Sequence, residues 1–206
     1  MRVNGNLCFK IGCALFIFLY SLAIGPFATE GDQIHYRKIY EAIGSMPITD
    51  AFAYYLMNLD SKEVVHFLLS WVFSSIGTEK DLFIALSNAV LAYLSTILLL
   101  RLKKKKIIIF IIISSSFYFN VLYFSAERLK YGFIFFIWSL LYLNNAKTFY
   151  FLAFTSVLSH AQMLISYISI AFNKVMQMVE RLLMKGLLSK SLFSLVFLGI
   201  ILAIII

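Results

Sequence analysis

Early in the chain, a carboxylate and two phenol rings follow one another at four-residue steps. They are Asp32, Tyr36 and Tyr40, and Gly31 precedes the first of them. Residues four apart stack on one face of a helix, and Asp32 stands where a helix would have its N-cap. Because a carboxylate accepts hydrogen bonds from hydroxyl groups and phenol rings cover the apolar face of a sugar, the pattern fits a saccharide-binding surface. The same side chains also fit a capped amphipathic helix whose tyrosines lie at a membrane interface.

A second group of charges, Glu127, Arg128 and Lys130, interrupts an apolar stretch. The planar guanidinium of an arginine binds two oxygens of a phosphate at once, through parallel hydrogen bonds. Arg128 is therefore a candidate phosphate-binding residue. The alternative is that the three charges only form a short polar turn.

The third candidate is His160, which has Ser156, Ser159 and Gln162 nearby in an otherwise apolar segment. An imidazole in this setting could orient a phosphate or move a proton. A histidine among apolar residues is, however, more often a hydrogen-bonded residue of the core than a catalyst.

The sequence does not indicate a metal or cofactor site. His35 and His66 have no partner at metal-ligand spacing, and Cys8 and Cys13 lie together in the first apolar segment. That arrangement matches neither a zinc site nor a disulfide framework, and no glycine-rich phosphate loop is present. We therefore predict no metal and no cofactor.

The elements that must position the candidate residues are strongly apolar. Of the 206 residues, 62% are hydrophobic and 14% are charged, and the mean hydropathy is +0.89. A soluble chain of this size could not bury so much apolar surface in one core, and a disordered chain would be far more polar. The apolar runs are continuous and do not alternate as the strands of a barrel do. The composition predicts an all-α fold, a polytopic transmembrane helical bundle that forms one integral membrane domain.

Six apolar runs are candidates for crossing the membrane, which takes about 20 helical residues. By residue number they are 7–27, 82–102, 107–124, 131–143, 148–172 and 192–206. The first contains Lys10 and follows Arg2, as in a signal peptide, but its length and the later spans favour a retained anchor. The run 148–172 is either one tilted span or two half-helices that break near His160, and the basic segment 173–190 favours the break.

The distribution of Lys and Arg predicts the orientation of the bundle. Arg101 and the run Lys103 to Lys106 follow the second span and belong in the cytoplasm. Residues 28–81 contain few cations, so we expect an extracytoplasmic loop with one or two interfacial helices. The run 64–76 within it is too short to cross the membrane.

Counting crossings from the basic loop places Asp32 and Arg128 on the same outer face of the membrane. The formal net charge of +8 then reflects basic loops that face anionic cytoplasmic lipid, and no nucleic-acid partner is expected.

In the order of its motifs the chain resembles the EpsG family, which is related to the Wzy-type polysaccharide polymerases of bacterial inner membranes. The resemblance runs from about residue 15 to 172, and around Arg128 only the arginine of the family's usual motif is kept. Family members are longer, so the resemblance implies a shortened member. The motifs are an amino-terminal span, Gly31-Asp32-x3-Tyr36-x3-Tyr40, Glu63 before a short apolar helix, a basic loop, Asn120-x7-Arg128-x3-Gly132, and Ser159-His160.

The resemblance implies polymerisation of undecaprenyl-diphosphate-linked oligosaccharide repeat units in capsule, O-antigen or exopolysaccharide synthesis. It implies catalytic roles for Asp32, Arg128 and His160, and substrate binding by Tyr36, Tyr40 and Arg128. Arg128 would bind the diphosphate, Asp32 would act as a base or accept sugar hydroxyls, and His160 would assist either.

The resemblance also implies a location and partners. The protein would be a multi-pass protein of the bacterial inner (cytoplasmic) membrane. Its partners would be polyprenyl-diphosphate-linked glycans, membrane lipid and other polysaccharide assembly proteins.

Two other functions are open at this point. A chain that holds only the amino-terminal part of a polymerase could be a non-catalytic remnant or a scaffold subunit of a polysaccharide assembly complex. A transporter of lipid-linked sugars is the other alternative. A transporter would need inward-facing polar residues on several spans, whereas the predicted spans here consist mostly of apolar residues.

Overall fold

Helices make up almost all of the structure. The computed structural model describes residues 5–184, and there is no strand among these residues. The all-α class is thereby confirmed for this part of the chain. In chain order the helices are α1 (Gly5–Ile24), α2 (Asp32–Ile43), α3 (Ile48–Leu59), α4 (Val64–Ser75), α5 (Lys80–Arg101), α6 (Lys106–Ser115), α7 (Phe117–Phe124), α8 (Glu127–Leu141), α9 (Ala146–Ser159) and α10 (Met163–Met184).

The chain forms two compact units, one ending at Met163 and the other beginning at Leu164. The first unit contains α1 to α9, and the second contains α10 apart from its first residue. Because α10 continues to Met184, the first two thirds of the segment 173–190 are helical. The rest of that segment and the apolar run 192–206 lie outside the described residues.

Within residues 5–184, two helices are long and apolar enough to cross a membrane. They are α1 with the turn that follows it (Gly5–Phe27), and α5. The pair α6 and α7 is a third candidate, bent by 49° at the break between them. Further crossings stay predictions, because α8 and α9 have only 15 and 14 residues, fewer than the 20 or so that a bilayer needs.

The run 148–172 is divided between two helices that break near His160, while its crossing of the membrane stays a prediction. Helix α9 ends at Ser159 and α10 begins at Met163. His160 lies between them with an extended backbone (φ −162°), while its N–H still bonds the carbonyl of Ser156. The break therefore places the imidazole at a helix end.

Residues 28–81 hold three helices, where the sequence predicts one or two. The additional helix is α3, whose apolar run, residues 51–57, is only seven residues long and therefore does not stand out as a candidate span. Ala51 and Tyr55 of α3 are fully buried, and they form an apolar cluster with Ile39, Ile43 and Phe67. This cluster holds α2, α3 and α4 together.

Helix α2 is fixed at the junction of α1 and α5. Arg37 Nη2 lies 2.5 Å from Asp81 Oδ1 and donates to the Gly25 carbonyl at 2.8 Å. One turn later the Tyr40 hydroxyl donates to the Thr78 carbonyl at 2.9 Å. These hydrogen bonds fix which face of α2 is turned toward α5.

The start of α2 differs slightly from the sequence prediction. Gly31 is the N-cap, with φ +62°, and Asp32 is the first helical residue. A positive φ is costly for residues with a Cβ, so the glycine takes the cap position.

Helices α8 and α9 approach closely at Gly132. The Ser156 hydroxyl donates to the Gly132 carbonyl at 2.8 Å. A Cβ on Gly132 would lie 2.8 Å from Met163 Cγ and 3.1 Å from His160 Cβ. The glycine therefore makes room for the break that carries His160.

We expect Gly132→Ala to destabilise the protein by about 1–3 kcal/mol, because an added methyl group would force the packed neighbours to move. Thermal unfolding of the purified protein in detergent measures this loss. Gly12→Ala is the matched control, since a Cβ on Gly12 meets nothing within 4 Å. Equal unfolding midpoints for Gly132→Ala and the wild type would contradict close packing at this glycine.

Candidate functional site

A polar cavity of about 160 Å³ lies where α2, the end of α3 and the start of α8 meet. It brings together three of the residues that the sequence singles out, Asp32, Tyr36 and Arg128, although Arg128 is 92 residues from Tyr36. The complete lining is Asp32, His35, Tyr36, Asn58, Leu59 and Arg128.

Arg128 is held on one side only. Its Nε donates to the Tyr36 hydroxyl at 2.9 Å and lies 3.2 Å from Glu63 Oε2. Within residues 5–184, neither terminal nitrogen of its guanidinium forms a hydrogen bond to the protein. The side chain is 27% exposed, so its two NH₂ groups can meet an anionic ligand in the cavity.

Tyr36 is a neutral phenol in this setting. Burial raises the pKa of Tyr36 to about 12, against the opposing effect of the nearby Arg128 guanidinium. The phenol oxygen accepts the hydrogen bond from Arg128, and its own proton stays available for donation. Tyr36 therefore positions the guanidinium and adds a donor to the cavity.

Glu63 connects Arg128 to His160. Its Oε1 makes a short contact with His160 Nδ1, and its Oε2 faces Arg128 and accepts from the Ser61 hydroxyl at 3.0 Å. The other imidazole nitrogen, Nε2, lies 3.1 Å from Gln162 Oε1. His160 is thus attached to the site through Glu63 and does not line the cavity.

Tyr40 lies apart from the cavity. Its side chain is 3% exposed, and its ring stacks on Phe83 with 5.4 Å between centroids. The Lys80 ammonium lies 4.7 Å from the centre of the same ring. The four-residue step that follows Tyr36 turns this side chain toward α5, so Tyr40 packs against α5 and does not line the cavity.

A buried ionic cluster lies beneath Arg128, and we name it the Glu127 cluster after its central carboxylate. Glu127 Oε1 is 2.5 Å from Lys80 Nζ and 3.1 Å from His66 Nε2, and the Tyr55 hydroxyl is 2.8 Å from His66 Nδ1. The Glu127 and His66 side chains are 0% and 3% exposed. The cluster ties α3, α4, α5 and α8 together directly behind the residue that enters the cavity.

Protonation in the Glu127 cluster follows from this geometry. Burial raises the pKa of the Glu127 carboxyl, but the Lys80 ammonium and His66 overcome it and hold that pKa below its usual range. Burial lowers the pKa of His66, although the carboxylate of Glu127 opposes the shift. A neutral His66 can then donate from Nε2 to Glu127 and accept at Nδ1 from Tyr55.

Acid should destabilise the protein in two stages. An unfolded histidine has a pKa of 6.5 and an unfolded glutamate 4.5, and both pKa values are lower in the folded state. The unfolded chain therefore binds more protons, so stability is lost as the pH falls below the first value and again below the second.

Unfolding midpoints measured in detergent between about pH 8 and pH 4 test this expectation. In His66→Gln the first stage should disappear. A wild-type midpoint that does not fall across this interval would contradict the assigned charge states.

Four residues of the site and its surroundings were not among the candidates chosen from the sequence. Glu63, His35 and Asn58 contribute to the site, and His66 supports it from within the Glu127 cluster. Of these four, only Glu63 was noted as part of a sequence motif, because it stands directly before a short apolar helix. His35 could have been found from its position three residues after Asp32 on α2. Local spacing could not reveal Asn58 and His66, since most of the residues they meet belong to other helices.

No protein-family model, curated protein or solved structure matches this chain. Within the described residues, no group of three or more His, Cys, Asp or Glu could hold a metal ion. The function is therefore argued from the residues of the cavity and their surroundings.

Proposed function

We propose that the protein polymerises undecaprenyl-diphosphate-linked oligosaccharide repeat units for capsule, O-antigen or exopolysaccharide synthesis. The observation that carries this proposal is the shared cavity of Arg128 and Asp32. It provides a cation for a diphosphate and a carboxylate for sugar hydroxyls in a chain that is otherwise mostly apolar.

In this reaction a hydroxyl oxygen of one lipid-linked unit attacks the anomeric carbon of the growing glycan. A new C–O bond forms, and the bond between that carbon and the diphosphate oxygen breaks. The diphosphate departs on its polyprenyl chain. The protein must bind the diphosphate, hold the sugars and accept the proton of the attacking hydroxyl.

Arg128 is the diphosphate-binding residue in this proposal. Its Nε is fixed by Tyr36 and Glu63, which directs its terminal nitrogens without occupying them. Because the guanidinium is held in place before the substrate arrives, little reorganisation is needed as negative charge develops on the leaving group. His160 supports this arrangement by sharing the Glu63 carboxylate.

Sugar hydroxyls would bind to Asp32, Tyr36 and Asn58. All three line the cavity and offer a carboxylate acceptor, a phenol donor and an amide with both capacities. We place this face outside the cytoplasm, in a multi-pass protein of the bacterial inner membrane, as the distribution of cations predicts.

Complementation tests the proposal. A bacterial strain that lacks its own polymerase but makes matching repeat units would express the 206-residue chain. We expect long surface glycans in place of single repeat units. Continued accumulation of single units, with normal amounts of the protein in the membrane, would contradict the proposal and favour the scaffold alternative.

A further inference from the structure

The three histidines of the chain have different surroundings. His66 is buried and uses both ring nitrogens within the Glu127 cluster. His160 also has both nitrogens occupied, by Glu63 and Gln162. His35 is exposed, lines the cavity and forms no hydrogen bond within residues 5–184. Among these imidazoles, His35 is thus the one open to a ligand.

His35 lies on the same helix face as the two other cavity residues of α2. Asp32 is three residues before it and Tyr36 directly follows it. Side chains three apart on a helix are neighbours, with about 5–6 Å between their Cβ atoms. Arg128 closes the cavity from α8, so an imidazole, a carboxylate and a guanidinium border one space.

We propose that His35 is the catalytic residue that accepts the proton of the attacking hydroxyl, an assignment that rests on the proposed function. His35 lines the cavity and no hydrogen bond within residues 5–184 occupies its ring nitrogens, so a lone pair of the neutral ring can take the proton. Asp32 is left to bind sugar hydroxyls.

The proton and electron pairs balance in this step. The hydroxyl oxygen forms the new bond to the anomeric carbon and gives its proton to a ring nitrogen of His35. The electrons of the broken C–O bond go to the diphosphate beside Arg128. The imidazolium next to Asp32 then releases its proton to the departing diphosphate or to water, which restores the neutral ring.

Chemical rescue tests this assignment. The purified full-length chain would be supplied with lipid-linked repeat units, and glycan length would be followed on gels. We expect His35→Ala to slow polymerisation by about 100-fold or more and added imidazole to restore a measurable part of the rate. Lys38→Ala is the matched control, because Lys38 is exposed on the same helix but lies outside the cavity lining.

Three outcomes would overturn the proposal. Wild-type rates in His35→Ala would remove His35 from the reaction and leave the proposed function in place. A loss that imidazole does not restore would mean that the residue supports structure. A wild-type chain that makes no polymer would overturn the proposed function and this inference together.

A second measurement needs no turnover. Diethyl pyrocarbonate modifies accessible imidazoles, and mass spectrometry reports each site. We expect undecaprenyl diphosphate to protect His35 in the wild type but not in Arg128→Ala, while buried His66 stays unmodified throughout. Unchanged modification of His35 at saturating undecaprenyl diphosphate would place this side chain outside the ligand site and overturn the assignment.

Discussion

Replacing Arg128 with alanine should leave single repeat units on the lipid and abolish long glycans. The variant loses the cation that stabilises the developing charge on the diphosphate, a loss that typically costs about 10²–10³ in rate. Glycan length on gels measures the effect, with membrane protein levels checked by blotting. Arg128→Lys should recover only part of the activity, because an ammonium cannot form two parallel hydrogen bonds to phosphate oxygens.

The control for Arg128→Ala is Lys62→Ala. Lys62 precedes Glu63 in the chain, is exposed and does not line the cavity, so its removal takes one cation from the same region of the fold. Polymerisation should be unchanged in this variant. Long glycans in Arg128→Ala at normal expression would remove the guanidinium from the mechanism.

Replacing Glu127 with alanine should be the most damaging single change to the fold. It leaves the Lys80 ammonium and His66 without their shared acceptor in a region where their side chains are 6% and 3% exposed. Loss of one partner from a buried ion pair typically destabilises a protein by about 3–5 kcal/mol. Thermal unfolding in detergent should show a markedly lower midpoint, or the variant should fail to accumulate.

A double variant separates the charge effect from simple loss of packing. Glu127→Leu with Lys80→Met removes both charges and keeps similar volume, so it should recover much of the lost stability. Glu41→Ala removes an exposed carboxylate of α2 and should have the same unfolding midpoint as the wild type. A Glu127→Ala protein as stable as the wild type would contradict the structural role of the cluster.

The continuous apolar runs predicted the two long helices well. The runs 7–27 and 82–102 correspond closely to α1 and α5, because a predominantly apolar sequence of that length is long enough for a membrane-spanning helix. In contrast, α3 has no such run. Its position depends on Ala51 and Tyr55 packing against two other helices, which periodicity within one segment cannot reveal.

The candidate site was predictable only where it depends on spacing within one helix or on the side of the membrane. The four-residue step placed Asp32 and Tyr36 on one face of α2, and the distribution of cations suggested that Arg128 lies on the same side of the membrane. The sequence could not show that the next step, to Tyr40, turns into the core. It also could not show that Glu63 contacts His160 97 residues away, because that contact depends on how separate helices pack.

Equilibrium binding of undecaprenyl diphosphate to the purified chain in lipid nanodiscs tests the central claim most directly. The arrangement of Arg128 and Asp32 in one cavity predicts saturable binding. Removing charge-assisted hydrogen bonds worth about 1.5–3 kcal/mol should weaken it at least about 10-fold in Arg128→Ala and leave it unchanged in Lys62→Ala. Equal affinity in the wild type and Arg128→Ala would contradict the claim that this cavity receives the diphosphate.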